Sequence, residues 1–515
     1  MSYDVIVIGG GTNGLTAAGL LAKAGRKTLL VERSGRLGGL AALHEFHPGY
    51  KVPGILHDTT GVKAQVVDAL QLERHGLSFR DREIPVFLPK TGSRGLLLHR
   101  DPGAADAELR GFSPRDAQRY AEFRSFLSRI RGFFLRVMEK QAPDLKGRGL
   151  GHLFELAGSA LAFRRLPEKD LLEVLRIGPM CIADWLNEYF ETPVLKAGLA
   201  HKAILGNWLG PWSAGTVVTF LLAELPARLE VAGGPATLVQ ALDSACRSQG
   251  VEILLGAEAA RILVEGGKAR GVMLRDGTEI HAPVIVSGCD PKRTFLKLLS
   301  PRDVPATLAD GMRNWRSRGT TAKIHLALRG PLEFSGRSGL PVEAARTGED
   351  FDELERAFDS VKYGEASARP ILDVRIPSVA DGSLAPEGQH VVSILAHFTP
   401  YHLRGGWTPE RRIALGDSIV AALSRDAPGL KEQVIAGEIL TPLDLEERLG
   451  LTEGHIFHGE QCLDQLFSLR PHPSCARHAT PIPGLYLASG GTHPGGGITC
   501  APGSLAAEAV LQARR

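Results

Sequence analysis

The stretch Tyr3 to Gly14, YDVIVIGGGTNG, runs on into Leu15 to Gly25, LTAAGLLAKAG, and reads as a strand, a tight turn and a helix. Val5 to Ile8 are uninterrupted β-branched apolar residues, as a parallel strand buried on both faces requires. Gly9, Gly11 and Gly14 then keep G-x-G-x-x-G spacing, with Thr12 and Asn13 between the last two. Gly9 permits a sharp turn and Gly11 lets the backbone approach a pyrophosphate. Gly14 lets the helix lie close to the strand with its N-terminus aimed at the phosphates. A second strand, Lys27 to Val31, ends in Glu32, a carboxylate placed to accept hydrogen bonds from a ribose. With strand, glycines, helix, strand and carboxylate in register, the stretch predicts a dinucleotide site rather than a glycine-rich turn without a ligand.

The turn after Glu32, Arg33-Ser34-Gly35-Arg36-Leu37-Gly38-Gly39, narrows the choice of dinucleotide. It resembles the R-x-G-G element of glutathione-reductase-like flavoproteins, which follows the ribose carboxylate and wraps the far side of the FAD pyrophosphate. That resemblance implies FAD, held by Gly9, Gly11, Thr12, Asn13, Gly14, Glu32, Arg33, Arg36, Gly38 and Gly39. An NADP site would replace Glu32 by a neutral residue, because a carboxylate repels the 2′-phosphate. The bland alternative for Arg33 and Arg36 is a pair of solvated loop charges.

At 515 residues the chain exceeds one simple core and predicts two or three structural units sharing a cofactor. A hydrophobic content of 43% with 23% charged residues is that of a globular protein, and a formal charge of +3 makes no electrostatic case for nucleic acid. The cysteines, Cys181, Cys246, Cys289, Cys462, Cys475 and Cys500, form no C-x-x-C pair, which removes a disulfide framework and a redox-active dithiol. Only Met1 and Ser2 precede the first strand, and no apolar run approaches the roughly twenty residues of a bilayer span. The expected setting is a reducing cytoplasm, with no leader peptide.

Along the chain, the first part of the nucleotide-binding unit is expected over residues 1–100. Within it, His57-Asp58 and His99-Arg100-Asp101 read as loop and turn residues with structural roles. A helical unit is expected over 101–225, with Ser113-Pro114 a helix start. In Phe123 to Lys140, FRSFLSRIRGFFLRVMEK, apolar Phe123, Phe126, Leu127, Ile130, Phe133, Phe134 and Val137 fall at helical spacing, and the arginines lie largely elsewhere. Such a helix either rests peripherally on an anionic membrane or packs its stripe on the protein's own core. Gly233-Gly234-Pro235-Ala236 reopens an α/β pattern, with a hairpin turn at Asp276-Gly277 and a strand Pro283 to Ser287, so 226–300 reads as a second part of the nucleotide-binding unit. Residues 301–455, with strands at Lys323 to Leu328 and His390 to His397, carry no assignable motif and form a substrate domain by default. Residues 456–515 return to the first unit.

That last part holds a second apolar strand that empties into glycines: Leu485 to Ser489, then Gly490-Gly491-Thr492-His493-Pro494-Gly495-Gly496-Gly497-Ile498, then a helix from Ser504. Such a turn brings backbone amides and a helix dipole against an anionic edge, which in a flavin is the pyrimidine side. Together with GGGTNG…ER…RLGG, AGGPATL…VIVSGCDP and GHIFHGEQCLDQLFSLRP (Gly454 to Pro471), it makes nearly the whole chain resemble the phytoene-desaturase-like FAD oxidoreductases. Within them the likeness is to the pyridine nucleotide-disulphide oxidoreductase domain-containing protein 2 group and the related carotene ketolases. The HG-x-x-x-x-DQLF-x-x-RP segment is the most selective of these motifs.

The resemblance implies an α/β architecture: a discontinuous Rossmann-like, glutathione-reductase-type FAD-binding domain, an inserted mixed α+β substrate domain and a helical subdomain. It implies one non-covalent FAD, with Gly490, Gly491, Gly496, Gly497 and Ile498 at the flavin and with His493 and Cys500 flavin-proximal. It further implies a lipophilic, isoprenoid-like substrate that is desaturated or otherwise oxidised by hydride loss to the flavin, with oxygen or a quinone as electron acceptor. The missing dithiol and missing second G-x-G-x-x-G argue against a disulfide reductase. Two departures stand out: relatives commonly carry glycine where this chain has Cys500, and the stretch Gly54 to Thr60 differs from the small, serine-containing version expected. His455 and His458 lack a coherent set of metal-ligating partners, and no metal is expected. No residue is assigned as catalytic acid or base, His493 included. The alternative to an enzyme is a flavin-binding regulatory or scaffold protein in which catalysis is weak or lost.

Overall fold

The computed structural model describes residues 3–144 and 166–513, and the part of the expected helical run at 145–165 lies outside the described residues. Five parallel strands lie in the order Leu485–Leu487, Val284–Ser287, Val5–Ile8, Thr28–Val31, Glu252–Leu254. The central strand is buried throughout and sends alternate side chains to opposite faces, as a period-two element must. Val5 and Val7 pack with the helices Thr12–Lys23, Pro235–Ser248 and Ala501–Gln512. Ile6 and Ile8 pack towards the antiparallel sheet of Ala259–Glu265, Lys268–Leu274 and Glu279–His281. Strands from three distant parts of the chain therefore build one Rossmann-like sheet, covered on both faces.

A second sheet of seven strands runs Val434–Leu440, Thr321–Leu328, His390–His397, Ile371–Arg375, Ala344–Arg346, Val86–Leu88, Leu96–Leu98. All neighbours are antiparallel except Ala344–Arg346 with Val86–Leu88. Val86–Leu88 and Leu96–Leu98, expected in the nucleotide-binding unit, are instead the last two strands of this sheet, with Leu96–Leu98 at its edge and Phe87 paired with Ala345.

The long helix Pro114–Met138 starts where proline supplies a preset φ and the Ser113 hydroxyl accepts from the Asp116 amide at 3.1 Å. Phe123, Phe126, Leu127, Ile130 and Phe134 are buried. Phe123 meets Trp185 at 5.1 Å and stands edge-on to Phe190 at 5.5 Å between ring centroids. Of the two readings of this stripe, the core packing is the one observed, because the surrounding helices bring aromatic partners to the same face. Among the described residues no helix is long and apolar enough to cross a membrane.

Candidate cofactor cleft and substrate cavity

The first glycine turn is built as its spacing demands. Gly9 takes φ +97°, and a Cβ on Gly14 would sit 1.9 Å from the Gly9 carbonyl oxygen. The helix that follows has no side-chain cap at Gly11, so its first amides remain free. Glu32 is oriented by its own neighbourhood: Oε2 accepts from the Gly10 amide at 2.6 Å and Oε1 from the Ser34 amide at 2.8 Å. The turn after it folds back so that the Gly38 amide donates to the Gly10 carbonyl at 2.8 Å.

These elements line one long cleft. Its walls carry Gly9, Gly11, Thr12, Asn13, Gly14, Glu32, Arg33, Arg36, Gly38 and Gly39 at one end and Gly490, Gly496, Gly497 and Ile498 at the other. The guanidinium groups of Arg33 and Arg36 are tied to the rim, Arg33 donating to the Arg448 carbonyl and Arg36 to the Leu43 carbonyl at 3.1 Å. Gly491 stands behind the lining, packed against Pro291 and the His458 carbonyl. Free helix amides, a poised carboxylate, a Gly11 with open space at its Cβ position and a buried Asn13 Oδ1 without a partner among the described residues all fit a pyrophosphate-linked dinucleotide such as FAD.

A second, mainly apolar cavity meets the cleft, the two sharing Leu56, Gly496, Gly497 and Ile498. One wall is strongly charged. Arg346 Nε lies 3.0 Å from Asp373 Oδ2, and Arg375 donates to Glu230 at 2.8 Å. Burial pushes the Asp373 carboxyl up, but Arg346 and Arg375 outweigh it and hold the group at about 2. Asp58 likewise loses the burial effect to Lys202, its Thr60 hydrogen bond and Arg375, and stays below the usual carboxylate range. Behind this wall Lys323 Nζ lies 2.9 Å from His57 Nε2, which is 2.8 Å from the Ser393 hydroxyl, itself 3.0 Å from His325 Nδ1. Burial drives Lys323, His57 and His325 well below their ordinary values, which disfavours the charged form of each.

The structure revises several expectations. His57 and Asp58, read as structural loop residues, both line the second cavity. His493 and Cys500, expected beside the flavin, line neither space. The His493 ring is fully buried, with Nε2 placed 3.0 Å from the Lys140 carbonyl and 3.2 Å from that of Val137. Burial, then the neighbouring His478, lowers its pKa to about 3. Cys500 adopts φ +61° as the cap of the last helix, its thiol buried and pushed up to about 11 by that burial. A left-handed backbone is one that glycine adopts without a Cβ penalty.

Sequence reasoning missed Lys323, Arg346, Asp373 and Arg375. The available signal was a charge at an inward position of an otherwise apolar strand, as in TAKIHLAL and ILDVR.

With this geometry in place, comparison with known proteins gives a consistent picture. The model of a family described as flavin containing amine oxidoreductase matches residues 14–423. Pyridine nucleotide-disulfide oxidoreductase domain-containing protein 2 of Mus musculus is 32% identical over 99% of this chain and 93% of its own length. Phytoene desaturase (lycopene-forming) of Pantoea ananas is 27% identical over 98% of each chain. Among solved structures, wild-type putrescine oxidase bound to putrescine superposes with a TM-score of 0.62 at 15% identity, covering 100% of this chain and 99% of that one, a likeness of fold.

Proposed function

The chain belongs to the flavin containing amine oxidoreductase family and is an FAD-dependent oxidoreductase, and from that premise we propose that it oxidises a lipophilic small molecule held in the second cavity. The observation that carries this is that the cavity and the cofactor cleft share the wall of Leu56, Gly496, Gly497 and Ile498. When bound, FAD supplies a ring that accepts two electrons as a hydride. Gly9, Gly11, Thr12, Asn13 and Gly14 would hold its pyrophosphate, Glu32 its ribose, and Arg33, Arg36, Gly38 and Gly39 the far side of the turn. Gly490, Gly496, Gly497 and Ile498 would hold the ring end, with Gly491 backing them.

The chain's own contribution is then positioning and exclusion of water. Val62, Leu135, Met138, Leu205, Leu222 and Phe457 supply the apolar lining that would seat a hydrocarbon body. The relative named as a phytoene desaturase supports a lipophilic, isoprenoid-like substrate. His57, with Lys323 behind it, and His201 offer buried basic groups beside the charged wall.

The test is an anaerobic titration of the purified protein. A yellow protein that bleaches on adding a lipid extract, and recolours with oxygen or a quinone, supports the proposal and identifies the acceptor. A protein that stays yellow with every lipid fraction points to the regulatory alternative. A colourless protein that cannot be reconstituted with FAD contradicts the assignment of the cleft.

A further inference from the structure

Beside the substrate cavity, a separate pocket gathers four arginines. It is lined by Arg100, Arg124, Arg131 and Arg228 together with Glu83 and Glu224. Glu224 is shared between three cations: Lys202 Nζ and Arg124 Nη1 each lie 2.6 Å from it, and Arg100 Nε lies 3.4 Å away. Glu83 is turned to the amides of Arg100 at 3.0 Å and Asp101 at 3.4 Å, with His99 at 3.6 Å. Arg131 spends only its Nε, on the Leu225 carbonyl at 2.8 Å, and the Arg228 guanidinium has no hydrogen bond or ion pair among the described residues.

Four arginines thus line one concavity with two carboxylates, and Lys202 reaches Glu224 from the neighbouring cavity. Burial, then Arg228 and Arg100, lowers the Arg131 pKa against a smaller opposing effect of Glu139, so like charges outweigh the nearby carboxylate there. Guanidinium groups left with free donors in such a place are suited to phosphate or carboxylate oxygens.

The pocket adjoins the cavity. Arg228 lines both. Arg131 precedes cavity-lining Leu135 by one helical turn, and side chains four apart on a helix lie on one face about 5–6 Å apart. Lys202 faces the cavity while its ammonium reaches Glu224 in the pocket wall.

We propose that the Arg100–Arg124–Arg131–Arg228 pocket binds the oxyanion head, phosphate or carboxylate, of an amphiphile whose apolar chain enters the cavity past Arg228. This rests on the assignment of the apolar cavity as the substrate site. The substrate would therefore be an anionic amphiphile rather than a neutral hydrocarbon.

Calorimetry on the FAD-loaded protein with dodecyl phosphate, dodecanol and inorganic phosphate separates the claims. The expected result is dodecyl phosphate binding roughly tenfold or more tighter than dodecanol, with the advantage weakened by salt. That advantage should vanish in Arg131→Gln and in Arg228→Gln. The Arg228 guanidinium has no partner among the described residues, so its variant should keep the native melting temperature and flavin content. Equal affinity for the alcohol and the phosphate would overturn the anion pocket and leave the apolar cavity standing. Binding of inorganic phosphate without either dodecyl compound would overturn the cavity assignment, and the amphiphile with it. Sedimentation with phosphatidylcholine vesicles only when phosphatidic acid is present, without a preference for soluble dodecyl phosphate, would assign the head group to a bilayer lipid and overturn the substrate reading.

Discussion

The guanidinium of Arg470 grips the carbonyl of Gly490 from two nitrogens, Nη2 at 2.7 Å and Nε at 3.2 Å. Its remaining donors reach the carbonyls of Glu460, Gln465, Phe457 and Gly459. One fully buried side chain thus ties the C-terminal glycine turn to the loop that carries Phe457 at the cavity wall. Burial lowers its pKa to about 10, which leaves it charged at neutral pH.

Arg470→Ala should therefore destabilise the protein by about 3 kcal/mol or more, since it orphans several buried carbonyls at once. Arg470→Lys should restore little, because one ammonium has three donors on a single nitrogen and cannot span these acceptors. Urea denaturation gives the stability, and the flavin released on gel filtration reports the loosened turn. A variant as stable as the parent would contradict the role given to this residue.

Gly11 and Gly14 should separate binding from folding. An added Cβ at Gly11 meets nothing within 4 Å, whereas at Gly14 it meets the Gly9 carbonyl oxygen at 1.9 Å. Gly11→Ala should keep the melting temperature of the flavin-free protein and weaken FAD binding. Gly14→Ala should lower the melting temperature even without flavin. Thermal melts of apo protein alongside FAD titrations check both.

Buried imidazoles should make the fold acid-labile. His397 and His478 are lowered to about 4 and His493 to about 3, in each case first by burial. Between these values and 6.5 the unfolded chain binds protons that the folded chain does not, so stability falls as pH drops through that window. His493→Gln, which keeps a donor for the Lys140 and Val137 carbonyls, should shift the acid-unfolding midpoint to lower pH. Circular dichroism across pH 7 to 3 measures it, and an unchanged midpoint would remove His493 from the account.

Lys323 should act on the alkaline side in the same sense. Its folded-state pKa is driven well below 10.5 by burial, so the unfolded chain holds a proton that the folded chain releases, and stability rises with pH towards 10.5. Lys323→Met should flatten that rise, by about 1.4 kcal/mol for each pH unit of the window removed. Urea midpoints from pH 7 to 10 supply the comparison.

Cys500→Gly should be tolerated. Glycine relieves a left-handed backbone worth about 1 kcal/mol and loses one buried thiol, two effects of opposite sign. Flavin content should be unchanged, and the native thiol, buried with its pKa at about 11, should resist an aromatic disulfide reagent until the protein unfolds. Rapid modification of Cys500 in the folded protein would show that the cap is open.

What the sequence determined by itself is the local chemistry of the two glycine turns. Strand, turn and helix at Val5 to Lys23, and the carboxylate at Glu32, are short-range consequences of backbone sterics and a two-residue side-chain period, so spacing alone exposed them. The HG-x-x-x-x-DQLF-x-x-RP motif could be recognised as selective, yet its reason became visible only where Arg470 meets Gly490. Tertiary structure decided the rest. It decided that Val86–Leu88 joins a strand more than two hundred residues later and that His493 points to Lys140 instead of the cleft. It also decided that Asp58, Lys202, Arg346, Asp373 and Arg375 share one wall. Each of these depends on pairing between segments far apart in the chain, whose register is set by the burial of whole faces and has no local signature.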